Sequence, residues 1–334
     1  MHDVSYSDVI GHHDIKKHLI SAAAQDKVSH AYLFTGEDGS GKKMLASLFA
    51  EALNCERHTG EPCQMCRSCR KALTGNHPDI ITVTHEKPNL FSVEEVRQQV
   101  VNTVDIKPYE SRYKVYIIDE MEKMNPQAQN ALLKTIEEPP EYVVLLLLTN
   151  SPDALLSTIL SRCVRLDLKT VPSADVQKYL MTELELPDYE AEIITAFAQG
   201  NIGRAKRCVE DAEFIKLLEA TLLLVERIGT MQVYEFADEA KKLAEIKQNI
   251  GIFFDILTLW YRDVLLYKAA MSTENLVFKR NIEAIQTQAE ACTYEGIGDV
   301  LAEIEKAAAR IRANVNFELV LEQLFLTIRD AVSA

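Results

Sequence analysis

The stretch FTGEDGSGKKML, residues 34–45, decides how the rest of the chain is read. It follows an apolar run, AYLFT (31–35), and precedes a helix-forming run, MLASLFAEAL (44–53). Gly36, Gly41 and Lys42 satisfy the pattern G-x-x-x-x-G-K of a phosphate-binding loop, and Gly39 adds a third glycine between them. Strand, glycine loop and helix in that order form a nest for an anion. Backbone N–H groups and the helix N-terminus point inward, and Lys42 reaches for the β- and γ-phosphates. A glycine-rich turn with a chance lysine is the plainer alternative. The next position departs from the pattern: a Ser or Thr hydroxyl is needed to hold Mg2+, and the chain has Lys43. An ammonium has three donors and no acceptor, so it cannot ligate a cation. The loop is thus expected to accept ATP phosphates but lacks a ligand for the Mg2+ that hydrolysis uses.

Further runs of the same kind as 31–35 are DIITV (79–83), KVYIID (114–119), YVVLLLLT (142–149) and CVRLDL (163–168). Continuous apolar runs suit strands covered on both faces. Helical signals lie between them. Ser92 and Glu95 make a capping box before VEEVRQQVV, and Asn125-Pro126 caps QAQNALLKTIEE, which Pro139-Pro140 ends. The alternation predicts an α/β three-layer P-loop core with a parallel five-stranded sheet over residues 1–167. Beyond about residue 170, starting with VPSADVQKYL and Pro172 in a first turn, the apolar spacing is helical throughout. It predicts a small helical domain at 168–212 and an all-α domain at 213–334, with long helices in 246–270 and 297–334.

The chain has 334 residues and a net charge of −14, which argues against coating nucleic acid unaided. Its longest apolar run, 143–148, is far short of the roughly 20 residues that span a bilayer. The N-terminal residues lack the charged-then-apolar pattern of a signal segment, so a cytoplasmic chain without membrane contact is expected. Seven cysteines, an odd number, fit no disulfide framework in that setting.

Four of the cysteines, Cys55, Cys63, Cys66 and Cys69, lie in CERHTGEPCQMCRSC (55–69). Thiolates this close suit a tetrahedral Zn2+ with Zn–S of about 2.3 Å, and four sulfurs leave no open position, which points to structural zinc. An iron–sulfur cluster uses the same ligands with other spacings. His58 and His77 flank the cluster and read as surface residues. In KVYIIDEMEKM, Asp119 would orient Mg2+ and Glu120 would polarise an attacking water; a strand followed by a charged turn is the alternative. Asn150, after the next strand, can read a γ-phosphate or cap a turn. Arg162, in Ser161-Arg162-Cys163, is by itself a surface arginine.

Loop, cysteine insertion, Asp-Glu strand end, Thr149-Asn150 and Ser-Arg-Cys occur here with DVIGHHDIKKHL (8–19) and SHAYLFTG (29–36). In this order they resemble the bacterial replicative clamp loaders of the AAA+ family over nearly the whole chain, and among these the delta-prime type of the DNA polymerase III holoenzyme. The resemblance implies an AAA+ core, a helical lid and a helical collar. It also implies a zinc module at 55–69, a Walker-B pair at Asp119 and Glu120, and a first sensor at Asn150. Arg162 becomes an arginine finger acting in trans on a neighbouring subunit's nucleotide. The implied partners are ATPase subunits and a delta-like subunit, with the sliding clamp and primed DNA reached through the complex. In GNIGRAKR (200–207), Gly203 stands where the family's second sensor arginine is aligned, and Arg204 is displaced by one. The expected role is a non-catalytic subunit; the alternatives are an active ATPase motor of the same machine and a zinc-stabilised nucleic-acid-binding module built on Arg57, Arg67, Arg70 and Lys71.

Overall fold

Strand β1 (Ala31–Thr35) is buried along its whole length and is the hub of the first half of the chain. It is followed by β2 (Ile80–Val83), β3 (Lys114–Ile118), β4 (Val143–Thr149) and β5 (Val164–Asp167). The sheet order is β2-β3-β4-β1-β5, with every pairing parallel. In register, Thr35 stands beside Thr149 and Asp167, and Val83 beside Ile118. The computed structural model describes residues 5–87, 90–245, 250–313 and 315–332. Of the predicted segments, 1–4, 88–89, 246–249, 314 and 333–334 lie outside the described residues.

Period-two alternation along the strands feeds two separate cores. Tyr32, Phe34, Leu146 and Leu148 pack with Leu19 of α1 (His13–Gln25) and Leu45 and Phe49 of α2 (Lys42–Leu53). Leu33, Leu145 and Leu147 face the other way, onto Val96 and Leu132. These belong to α4 (Val93–Val96) and α5 (Pro126–Glu137), which follow the short α3 (Arg67–Leu73). Each such side chain, removed from water, contributes about 1.5–3 kcal/mol, so the layer order follows from the burial of both sheet faces. The capping box at Ser92 and Glu95 forms, but the helix continues past Val96 as a π-helical turn, Arg97–Val101. Asn125 caps α5 through Ala128 N–H at 2.8 Å. After α6 (Ser157–Leu160) and β5, helix α7 (Ser173–Thr182) begins one residue later than read: Pro172 is its N-cap, not a first-turn residue.

The chain divides into two compact units, Met1–Glu185 with Ala198–Arg204, and Leu186–Phe197 with Ala205–Ala334. The stretch 168–212 is thus shared between them. Among the described residues, the elements of the second unit are all helices. It contains most of α8 (Asp188–Ala198) and of α9 (Ile202–Glu210), then α10 (Ala212–Arg227), α11 (Val233–Glu245), α12 (Ile250–Ala270), α13 (Ile282–Ala291), α14 (Tyr294–Arg312) and α15 (Phe317–Val332). Phe236, Phe253 and Phe325 form its aromatic centre, with ring centroids 5.9 Å and 6.4 Å apart. Trp260 Nε1–H donates to Gln288 Oε1 at 2.9 Å, satisfying the one polar atom of a fully buried ring. No described helix is long and apolar enough to cross a membrane.

Glu51, on the buried face of α2, is only 9% exposed, and its Oε2 has no hydrogen-bond partner among the described residues. Burial pushes its carboxyl up to about 7. A carboxyl raised on folding stays protonated in the native state while the unfolded chain has ionised. Its stability is therefore full below the ordinary glutamate range and is lost as pH rises through about 7. Glu51→Gln is expected to raise the melting temperature at pH 8, by on the order of 1–3 kcal/mol of stability, and to change it little at pH 4.5, as read by calorimetry at the two pH values.

Candidate functional site

Because all five strands run the same way, the segments leaving β1, β3 and β4 meet at one edge of the sheet. The loop after β1 is left-handed at Gly39 (φ 85°) and at Gly41 (φ 97°), which N-caps α2. Lys42 opens α2 and turns back into the loop, donating from Nζ to Gly36 O at 2.7 Å and Glu37 O at 2.9 Å. Burial pulls its ammonium below the usual lysine range, opposed by the carboxylates of Asp119, Asp38, Glu122 and Glu37. Lys43 points into water, with its Nζ 3.9 Å from Asp119 Oδ2.

A cavity of about 340 Å³ opens there, bounded by Lys42, Lys43, Asp119, Glu120, Glu122 and Asn150. It brings together the residues read as the loop, the acid pair and the first sensor. Glu120, however, is engaged by the protein. Its backbone is left-handed (φ 54°), Oε2 lies 2.6 Å from His85 Nε2, and Oε1 lies 2.6 Å from Lys123 Nζ. The Lys123 ammonium first, and His85 after it, hold its carboxyl below the usual range. Glu122 is a third carboxylate, accepting from Thr149 Oγ1 at 2.8 Å and Asn150 N–H at 3.3 Å. His85 and Lys123 were not legible in the sequence as partners of Glu120. His85 is there because Val83 and Ile118 are in register, which brings the two residues beyond each strand side by side.

Arg162 lies elsewhere. It sits just before β5, at the edge where strands begin, since Val164 is level with Tyr32 and Asp167 with Thr35. At about 3.3 Å per residue, the length of a strand separates it from its own loop. Its Nη2 pairs with Glu137 Oε1 at 2.9 Å and its Nη1 donates to Thr158 O at 2.9 Å.

The cysteine segment between α2 and α3 gathers Cys55, Cys63, Cys66 and Cys69, with all four sulfurs within 4.8 Å of one another. This group could hold a metal ion. Cys66 N–H donates to Cys63 Sγ and Cys69 N–H to Cys66 Sγ, both at 3.4 Å. Burial raises the Cys55 and Cys69 thiols. At Cys63 burial acts the same way but is outweighed by the backbone N–H groups of Cys66 and Met65, which bring its thiol to about 6.

His77, read as a surface residue, is buried (5% exposed). It is not among the clustered ligands. Its Nδ1 accepts from Asp79 N–H at 3.1 Å, so Nε2 carries the proton and faces Ser68 Oγ of α3 at 2.9 Å. Asp79, fully buried, accepts from the N–H groups of Tyr109, Glu110 and Ser111 at 2.6, 3.0 and 2.9 Å. Glu110 in turn pairs with Arg67 and Lys71 of α3. Two of the four cations that supported a nucleic-acid module are therefore engaged by a carboxylate within the chain.

The family described as DNA polymerase III, delta subunit, matches residues 11–172, and its C-terminal counterpart matches residues 216–330. DNA polymerase III subunit delta' of Bacillus subtilis is 29% identical over 95% of this chain and 95% of its own length. DNA polymerase III subunit tau of the same organism is 32% identical over 83% of this chain, which spans 53% of that relative's length. In Escherichia coli, DNA polymerase III subunit tau is 38% identical over 53% of this chain and 27% of its own.

His77→Ala leaves the Ser68 hydroxyl and the Asp79 N–H without a partner. It is expected to cost about 1–3 kcal/mol of stability in denaturant melts, while the metal content per chain, measured by atomic emission, stays as in the wild type. A drop in metal content at full occupancy conditions would make His77 a ligand.

Proposed function

This chain belongs to the DNA polymerase III delta-subunit family, and from that membership we propose that it is a non-catalytic, delta-prime-type subunit of a bacterial clamp loader in the cytoplasm. It supplies Arg162 in trans to the nucleotide of a neighbouring ATPase subunit. The complex then loads the sliding clamp onto primed DNA. The observation that carries this reading is the position of Arg162. The loop cavity is at the strand-exit edge of the sheet and Arg162 at the strand-entry edge. A guanidinium there is out of reach of its own loop, and its partly exposed side chain can meet a nucleotide on another chain.

The charge chemistry follows. Phosphoryl transfer spreads negative charge over the transferring oxygens, and an arginine presented from outside neutralises it as it develops. Glu137 and Thr158 O hold the guanidinium in one orientation without enclosing it, since the arginine side chain remains 39% exposed. The chain's own loop contributes little to turnover: Lys43 offers no ligand for a cation, and both oxygens of Glu120 are bound. The helical second unit, residues 205–334 in the main, is the proposed seat of permanent subunit contacts. Leu223 and Leu319, 60% and 63% exposed, lie on its helices.

Cys55, Cys63, Cys66 and Cys69 are the proposed ligands of one structural Zn2+. Four thiolates fill a tetrahedral shell and leave no position for a substrate water, so the ion's contribution is to fold and stiffness.

In a loader reassembled from purified subunits, Arg162→Ala is expected to lower steady-state ATP turnover at least tenfold without altering assembly. Unchanged turnover would sink the proposal. For the metal, one zinc per chain is expected, and cobalt substitution is expected to give the intense near-ultraviolet thiolate-to-metal bands of a four-sulfur site. Cys69→Ser should weaken those bands and lower the melting temperature; binding of iron with sulfide instead would decide for a cluster.

A further inference from the structure

The side chain of Arg162 is gripped at its root and at its tip. The root is fixed by packing. Helices α5 and α6 share the second core, where Leu132 and Ile136 of α5 lie with Ile159 of α6, and Cys163 packs against them. Gln129 of α5, 1% exposed, bolts the two segments together: its Oε1 accepts from Leu156 N–H at 2.8 Å and its Nε2 donates to Ala154 O at 3.0 Å. Arg162 leaves this frame between Ile159, whose carbonyl accepts its backbone N–H at 3.1 Å, and the half-buried Cys163. The tip is held from two directions. Nη1 donates to Thr158 O at 2.9 Å and to Ser161 Oγ at 3.2 Å, and Nη2 pairs with Glu137 Oε1 at 2.9 Å. Glu137 is the last residue of α5, and Pro139-Pro140 prevent the helix from continuing past it. Its carboxylate is thus carried by a different helix from the one that leads into the arginine. A guanidinium has five N–H donors. Three are engaged among the described residues, which leaves two for a ligand.

We infer that Glu137 is a positioning residue for Arg162, holding the guanidinium in the orientation that presents its two remaining donors to a phosphate of the neighbouring subunit's nucleotide. An arginine side chain loses conformational freedom whenever it is fixed. One that is fixed before the nucleotide arrives need not lose that freedom in the transition state. Thr158 O and Ser161 Oγ belong to the same turn as Arg162 and restrain one end of the fork; Glu137 supplies the contact from outside that turn. The pair is partly exposed, 39% and 44% on the two side chains, so it adds little to the stability of the fold. Its effect falls instead on the presentation of one side chain, and the modest strength of an exposed pair limits that effect to about twofold to fivefold in turnover. The inference rests on reading Arg162 as a finger that acts in trans.

The test is steady-state ATP turnover of the loader reassembled from purified subunits, with this chain as wild type, Glu137→Ala, Glu137→Gln, Arg162→Ala, or Glu137→Ala combined with Arg162→Ala. Glu137→Ala is expected to lower kcat about twofold to fivefold and to leave KM for ATP unchanged. Glu137→Gln keeps an acceptor oxygen at the same reach and is expected to recover at least half of that loss. The double variant is expected to turn over at the rate of Arg162→Ala alone, because Glu137 acts only through the guanidinium. If Arg162→Ala lowers turnover while Glu137→Ala leaves it unchanged or raises it, the inference is overturned and the trans reading stands; a rise would mean that the carboxylate holds the arginine back. No recovery in Glu137→Gln, or a double variant slower than Arg162→Ala, overturns it too, since Glu137 would then act by its charge or through the fold. Turnover unchanged by Arg162→Ala overturns both. Should a Glu137 variant fail to fold or assemble, heteronuclear NMR of the isotopically labelled wild-type chain decides: separate, slowly exchanging Nη signals for Arg162 support the grip, and a single averaged signal overturns it.

Discussion

The parallel pairing of β1 between β4 and β5 is the constraint on which the first unit depends. Both faces of β1 and β4 are buried, so their register is fixed by two cores at once, while the edge strand β5 is held on one side. With every strand pointing the same way, chain entering the sheet collects at one edge and chain leaving it at the other. Loop, acid pair and Asn150 share the exit edge; Arg162 is left at the entry edge. The separation of Arg162 from the glycine loop is thus a property of topology, and no side-chain adjustment changes it.

At the exit edge the charged side chains around the cavity already have partners within the protein. Lys42 donates to two loop carbonyls, Glu120 receives Lys123 and His85, and Glu122 receives Thr149 and Asn150. The same accounting explains why acidic residues tolerate one another around a 340 Å³ cavity: each of Asp119, Glu120 and Glu122 has a cation or a donor within the protein.

The cysteine segment is tied to the sheet by polar contacts that do not involve its sulfurs. His77 and Asp79 sit immediately before β2; one bonds Ser68 of α3 and the other the N–H groups of residues 109–111 before β3. Buried polar groups of this kind must be fully satisfied or they destabilise, and here they are. A metal ion would stiffen a segment already anchored at its C-terminal side.

What the sequence by itself determined is what depends on neighbours along the chain. Strand and helix alternation is written in apolar period. The glycine loop is recognisable because its spacing and flanks are contiguous, and the four cysteines because they fall within fifteen residues. The caps at Ser92 and Asn125 needed only three residues to be read. What only the tertiary structure decided are pairings across long separations: Glu120 with His85, 35 residues away, and Asn201 with Asp38, 163 residues away. It also moved His77 from the surface to a buried hydrogen-bonded position, because a histidine's burial depends on what packs over it and leaves no periodic trace. Gly203 shows the difference most plainly. In sequence it is an absent arginine; in the fold it is the one residue type small enough to let a helix start rest on the backbone of Gly39, since steric fit between distant segments exists only after the chain has closed upon itself.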